Sequence, residues 1–179
     1  MPVIRNAFPG DLAALTALYN HYIVHTPITF DLHTYEPEQR RQWFDDHGVS
    51  GRHRLLVAEE QGGIAGYAST SRWRPKAAYD TTVESTVYVR HDAVGRGIGR
   101  ALYAALFDAI ADEDVHVIVA GVALPNAASI ALHERFGFRQ VGVFREVGKK
   151  FGTFWDVAWL QRPGGRRNHA QDSAVQRDA

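Results

Sequence analysis

Val83-Glu84-Ser85-Thr86-Val87-Tyr88-Val89, then Gly95-Arg96-Gly97-Ile98-Gly99-Arg100, then Ala101-Leu102-Tyr103-Ala104-Ala105-Leu106-Phe107: these three stretches decide the fold. The first is rich in β-branched residues and predicts a strand, and the last has the apolar spacing of a helix. Between them, glycines let the backbone approach a ligand closely, and the first N–H groups of the helix form an anion site. Arg96 and Arg100 add positive charge. The segment reads as a cradle for a phosphate or pyrophosphate, beside a strand that holds one carboxylate, Glu84. A dinucleotide fingerprint needs glycine where Arg100 stands, and the Gly-Lys-Ser/Thr of a P-loop is absent. Taken alone, the loop is also consistent with a turn that only packs strand against helix.

Upstream, Pro2 to Arg5 predicts a short strand, and Pro9-Gly10-Asp11 opens a helix with Asp11 as N-cap. Leu12, Leu15, Leu18, Tyr19 and Tyr22 form its apolar stripe. Glu38 to Phe44 predicts a second helix, entered through Pro37. Leu55 to Ala58 and Ile64 to Trp73 predict a hairpin about Gln61-Gly62-Gly63. The helix after the glycine loop runs to about Ala111. Val115 to Val122 is a β-branched run suited to a strand buried on both faces. A helix follows from Pro125-Asn126 and stops at Gly137, and strands near Val141–Val147 and Phe154–Gln161 close the chain. Strands alternating with helices predict an α/β domain with a mixed sheet. Residues 1–162 read as one domain and 163–179, nearly free of apolar residues, as a disordered tail.

The chain has 179 residues, a formal net charge of zero and no cysteine. Neutrality argues against a nucleic-acid partner held by phosphate neutralisation. The lack of cysteine excludes a thiol nucleophile and a zinc–thiolate site. The longest apolar run, Val115 to Leu124, contains His116 and is too short to span a bilayer, and the N-terminus lacks a signal-peptide pattern. The expectation is a cytoplasmic protein with no membrane partner.

Few residues carry the chemistry. Glu84 is a carboxylate in mid-strand, where Glu is depleted, and shares a face with Thr82, Thr86 and Tyr88. It reads either as a solvated outer-face residue or as a general base with a raised pKa. His133 shares the apolar face of Ile130 and Phe136, as a satisfied core histidine or as an acid–base group. Asn126 and Ser129 are explained by capping. His21 and His25 lie one helical turn apart, but the glutamate of a zinc-protease motif is missing, so no metal site is expected. Ser85 and Thr86 lack the context of an elbow nucleophile.

Together, Thr82-Val-Glu-Ser-Thr-Val-Tyr-Val89, Asn126-Ala-Ala-Ser129 with His133 and Gly137-Phe138, and Gly148-Lys-Lys-Phe-Gly152 running to Trp155-Asp156 resemble the GNAT N-acyltransferases. Within them, the resemblance is to the phosphinothricin and methionine sulfoximine N-acetyltransferase family, over roughly Ile4 to Gln161. It implies the GNAT fold, a mixed and mostly antiparallel sheet flanked by helices, with acetyl-CoA as co-substrate and no metal. It also implies the pantetheine arm along Val87, Tyr88 and Val89 and the pyrophosphate on Gly95, Arg96, Gly97, Ile98, Gly99 and Arg100. Asn126 and Ser129 would complete that site. Glu84 would be the catalytic base and His133 a proton donor to the leaving thiolate. One departure is Val94, where the superfamily usually has Gln or Arg. The loop Trp73 to Asp80 suits a small amino-acid acceptor with a carboxylate and a second polar head, held by Arg74, Lys76 and Tyr79 and closed over by Phe30. Solvated loop charges are the plainer reading of Arg74 and Lys76. Relatives are homodimers. A non-catalytic acyl-CoA-binding module, or an acetyltransferase for another amine, are the rival readings.

Overall fold

The computed structural model describes residues 2–60 and 63–165. Seven strands form one sheet: β1 (Val3–Asn6), β2 (Leu55–Glu60), β3 (Gly63–Arg72), β4 (Thr82–Val89), β5 (Val117–Ala123), β6 (Arg139–Lys150) and β7 (Thr153–Pro163). Their spatial order is β1-β2-β3-β4-β5-β7-β6, and every pairing is antiparallel except β4 with β5. Among the described residues, four α-helices flank it: α1 (Leu12–His25), α2 (Arg41–Asp45), α3 (Ile98–Ala109) and α4 (Ala127–Arg135). This is the mixed, mostly antiparallel sheet expected.

The two faces hold separate cores, and side-chain alternation sorts residues between them. Leu56, Ala58, Ala68 and Val83 pack with Ile98, Leu102, Tyr103 and Leu106 of α3. Leu55, Val57 and Tyr67 pack with Leu12, Leu15 and Leu18 of α1 and Phe44 of α2. Glu84, Thr86 and Tyr88 belong to the second face, because they stand opposite Ser71, Ser69 and Tyr67 in register.

The parallel pair creates the opening that matters. β4 and β5 are in register only from Thr82↔Val117 to Glu84↔Val119, and beyond Glu84 they part. In an antiparallel ladder, one residue's N–H and C=O point to the same side and successive residues alternate. Arg90 N–H donates to Ala65 O of the β3 segment, at 2.8 Å. Even-numbered residues of β4 therefore serve β3, while Val87 and Val89 turn their backbone groups into the gap where β5 has left.

Several local expectations need correction. Asp11 stands at the N-cap position of α1 as expected, but its side chain makes no capping bond there. Its carboxylate accepts from Phe8 N–H (3.0 Å) and from Arg5 (2.7 and 3.0 Å), so it closes the preceding 3-10 turn. The helix expected over Glu38 to Phe44 is divided into a 3-10 turn, Pro37–Arg40, and α2, with Gln39 Oε1 accepting from Glu36 N–H at 2.7 Å. β5 begins at Val117, because His116 and Val117 N–H both donate to Thr81 O, and it is not buried throughout, since Gly121 is exposed. β6 and β7 are longer than expected, with two register shifts in β6 absorbing the twist. Pro163 is the last residue of β7, and Gly164 N–H still donates to His116 O. The expected turn at 61–62 and the tail from 166 onward lie outside the described residues.

Candidate active site

Two clefts meet at the point where β4 and β5 part, and the first is built from backbone. Gly95 and Gly97 both hold positive φ (82° and 81°), the left-handed region that glycine enters without strain. Gly97 is the N-cap of α3, so the unpartnered N–H groups of the first turn face outward there. A groove of about 440 Å³ runs past Gly95, Gly97, Gly99 and Arg100 to Val87, Val89 and Asn126. The helix dipole favours an anion at its head. Arg96 does not line the groove. Its guanidinium is paired at 2.7 Å with Glu60 on β2, which leaves Arg100 as the loop cation facing the groove. Val89 O, turned into the gap, already accepts from the Tyr22 hydroxyl.

The second cleft, about 250 Å³, lies deeper in the gap and brings together Phe30, Glu84, Tyr103, Asn126, Ser129 and His133. Val87, Asn126 and Ser129 line both clefts, so the two are continuous. Glu84 is half-buried, and its side chain makes no hydrogen bond or salt bridge among the described residues. Burial raises its carboxyl above the ordinary value, offset in part by the charge of Arg74. Such a carboxylate is poised to take a proton.

His133 is 3 % exposed. Its Nδ1 lies 2.7 Å from Ser129 O, and its Nε2 lies 2.9 Å from the Tyr103 hydroxyl. A carbonyl can only accept, so Nδ1 carries the proton and Nε2 accepts from Tyr103. Burial lowers the pKa of this histidine and pushes the Tyr103 hydroxyl well up. The satisfied core histidine is therefore what the structure contains. Asn126 Oδ1 accepts from Ser129 N–H at 3.1 Å and caps α4 as the sequence implies. At the far end of α4, Gly137 N–H donates to Glu134 O and Phe138 N–H to His133 O, a paired closure that fixes the His133 turn.

Phe30 closes the deep cleft from the loop after α1. The loop is held by Lys150, whose Nζ donates to Thr29 O at 2.7 Å, and by Gly148, where any Cβ would overlap the Phe30 ring. Arg74, Lys76 and Tyr79 stand on an exposed loop and line neither cleft, although Arg74 acts electrostatically on Glu84. Sequence reasoning missed Tyr103, whose helix position gives no sign of its partner thirty residues on. It also missed a third cavity that contains Arg40 and meets the deep cleft at Thr86 and Tyr88. No group of His, Asp or Glu able to hold a metal exists among the described residues, and none of their helices is long and apolar enough to cross a membrane.

Residues 4–159 match the acetyltransferase (GNAT) domain family. The chain is 56% identical over 162 residues to a phosphinothricin N-acetyltransferase of Streptomyces coelicolor, covering 89% of this chain and 95% of the relative. It is 39% identical to an L-methionine sulfoximine/L-methionine sulfone acetyltransferase of Salmonella typhimurium, covering 88% and 92%. Among solved structures, a GNAT superfamily phosphinothricin acetyltransferase from Sinorhizobium meliloti, in complex with acetyl-CoA, superposes with a TM-score of 0.85 at 30% identity over 92% of this chain and 89% of that one.

Proposed function

We propose that this chain, which belongs to the GNAT acetyltransferases and within them to the phosphinothricin and methionine sulfoximine N-acetyltransferase family, acetylates the α-amino group of a small amino acid or analogue by direct transfer from acetyl-CoA. The observation that carries the reading is Glu84: an unpaired, half-buried carboxyl at the mouth of the β4–β5 gap, next to a glycine-loop groove. The residues suit the co-substrate. Positive-φ glycines at a helix head fit a pyrophosphate, and the inward-turned backbone of Val87 fits an amide-bearing arm. Ile98 N–H and the side chain of Arg100 would complete the anion site.

Bound acetyl-CoA supplies an activated thioester carbonyl. The acceptor arrives as an ammonium and cannot attack until Glu84, directly or through a water, removes a proton. A β4 N–H turned into the gap donates to the oxygen that gains negative charge. The C–N bond forms, the C–S bond breaks, and the second proton lost from nitrogen balances the departing thiolate. His133 does not supply that proton. Both its ring nitrogens are engaged, Nδ1–H by Ser129 O and Nε2 by the Tyr103 hydroxyl. We assign His133 instead to holding the Tyr103 hydroxyl in the floor of the cleft. With no cysteine in the chain, transfer within a ternary complex fits better than a covalent thiol intermediate.

The acceptor reading follows the relatives named above, and we extend it to a homodimer that works in the cytoplasm without nucleic-acid or membrane partners. Support for the dimer is an apolar strip on the β6–β7 hairpin, where Val141, Phe144, Val147, Phe151 and Phe154 are all exposed. Release of free thiol from acetyl-CoA should occur only when an amino acid of the phosphinothricin, methionine sulfoximine or methionine sulfone type is present. Tight acetyl-CoA binding with no turnover on that panel would favour the non-catalytic binding module.

A further inference from the structure

A third cavity, about 350 Å³, lies between the sheet and the α1–α2 layer and touches the deep cleft through Thr86 and Tyr88. Its floor is a ladder of paired residues, Ser69↔Thr86 and Tyr67↔Tyr88, and the next pair along is Ser71↔Glu84. Its wall is Arg40, brought inward where the 3-10 turn gives way to α2.

Arg40 is 6 % exposed and enters none of the salt bridges among the described residues. Its guanidinium lies over Trp43 (3.8 Å) and Tyr19 (4.4 Å), and one N–H donates to Leu15 O at 3.2 Å. A guanidinium has five donors, and burying it without a carboxylate is costly unless something else accepts. The Tyr67 hydroxyl accepts from the Arg40 guanidinium and feels its charge, and both offset part of the rise that burial gives that phenol. Across the cavity, the Ser69 and Thr86 hydroxyls make no hydrogen bond among the described residues. Asp31, the one carboxylate of the lining, is engaged by the Tyr19 hydroxyl at 2.7 Å.

We propose that Arg40, with the hydroxyls of Ser69 and Thr86, forms the subsite for the distal head of the acceptor, a tetrahedral group carrying two oxygens such as a phosphinate or a sulfone. The proposal rests on the acetyl-transfer reading above. Distance selects the head over the α-carboxylate. The α-carboxylate hangs from the same carbon as the reacting amine and stays beside Glu84. Thr86 lies two strand residues from Glu84, about 6.6 Å, and Tyr88 with its partner Tyr67 twice as far. A fork of N–H donors matches two oxygens on one atom. Aromatic walls suit the methylene linker between head and amine.

The test compares methionine with methionine sulfone, acceptors of equal length that differ by two oxygens, at saturating acetyl-CoA. Wild-type protein is expected to prefer the sulfone in kcat/KM. Arg40→Gln should lower kcat/KM for the sulfone by about 10- to 100-fold, the usual worth of a lost charge-assisted contact. Methionine turnover should move by less than about threefold, and the KM for acetyl-CoA should hold. Arg40→Lys, which keeps charge but not the fork, should lose most of the preference. Ser69→Ala, on the opposite wall, reads the same ratio if the Arg40 variants do not fold. A sulfone-to-methionine ratio unchanged in the folded variants, or both acceptors falling together, would overturn the subsite. Wild-type protein silent on every amino acid would overturn the acetyl-transfer reading first, and the subsite with it.

Discussion

The glycine-loop groove and the Arg40 cavity both border the deep cleft that holds Glu84 and are built by opposite means. The groove is backbone: consecutive residues, two positive-φ glycines, a helix head and one strand edge left free when β5 departs. The cavity is side chain: Tyr19 from α1, Arg40 from a turn, Tyr67 and Ser69 from β3 and Thr86 from β4 converge only after folding. The groove fits a common structure, a phosphorylated thioester carrier, whereas the cavity sets which amine is accepted. A site built from main-chain geometry tolerates many sequences and is fixed by few residues. A site built from converging side chains changes with any one of them.

The largest effect is expected at Glu84, in the deep cleft between the two regions. Glu84→Gln should lower kcat by about 10²–10⁴-fold, the range for a positioned general base, and leave both substrate affinities nearly unchanged. Steady-state kinetics at saturation in both substrates reads this, and near-normal kcat at neutral pH would remove Glu84 from the chemistry.

At the backbone end, Gly97→Ala forces an ordinary residue into the left-handed region, at a cost of about 1–2 kcal/mol. We expect a fall in Tm of about 2–8 °C, together with a raised KM for acetyl-CoA and an unchanged acceptor KM. A raised acceptor KM instead would mean that the loop does not belong to the cofactor groove alone.

Smaller effects sharpen the division within the loop. Arg100→Gln should raise the KM for acetyl-CoA several-fold, an effect that shrinks with added salt because the site is open. Arg96→Gln should change it little, since that guanidinium already faces Glu60. Equal effects from the two would show that the Glu60 pair breaks when the groove fills.

The smallest effects are expected on the exposed loop. Arg74→Ala and Lys76→Ala should shift acceptor kcat/KM by less than about 1 kcal/mol, as solvated charges do, with Arg74 the larger because it acts on Glu84. Acceptor losses of ten-fold or more at moderate ionic strength would return the recognition of the acceptor to that loop.

What could be read from the sequence divides along the same line. The glycine loop, the Glu84 strand and the Asn126 cap are local: each needs only its neighbours, and each lies where the spacing indicated. Arg40 was hidden inside what looked like a continuous helix. The Pro37 turn rotates it inward, and its ring partners come from residues 19 and 43. His133 was placed correctly on an apolar face, but its chemical state depends on Tyr103, which no local pattern pairs with it. Asp11 illustrates the same limit at small scale. Its type suggested a helix cap, and Arg5 and Phe8 drew it to another task. Long-range partners decide what a polar side chain does, and periodicity records only where it sits.

If Glu84 is the base, the pH dependence of acceptor kcat/KM at saturating acetyl-CoA must show its ionisation. Burial holds this carboxyl above its ordinary value of 4.5, so the proton-accepting form is lost as pH falls through that raised value. The same displacement means that the ionised form opposes folding, so Glu84→Gln should raise Tm at pH 8 and leave it unchanged at pH 4, below both values. Wild-type protein should show an acidic limb with a midpoint above 4.5, and Glu84→Gln should lack that limb while retaining a low residual rate. An identical acidic limb in the two proteins would contradict the account.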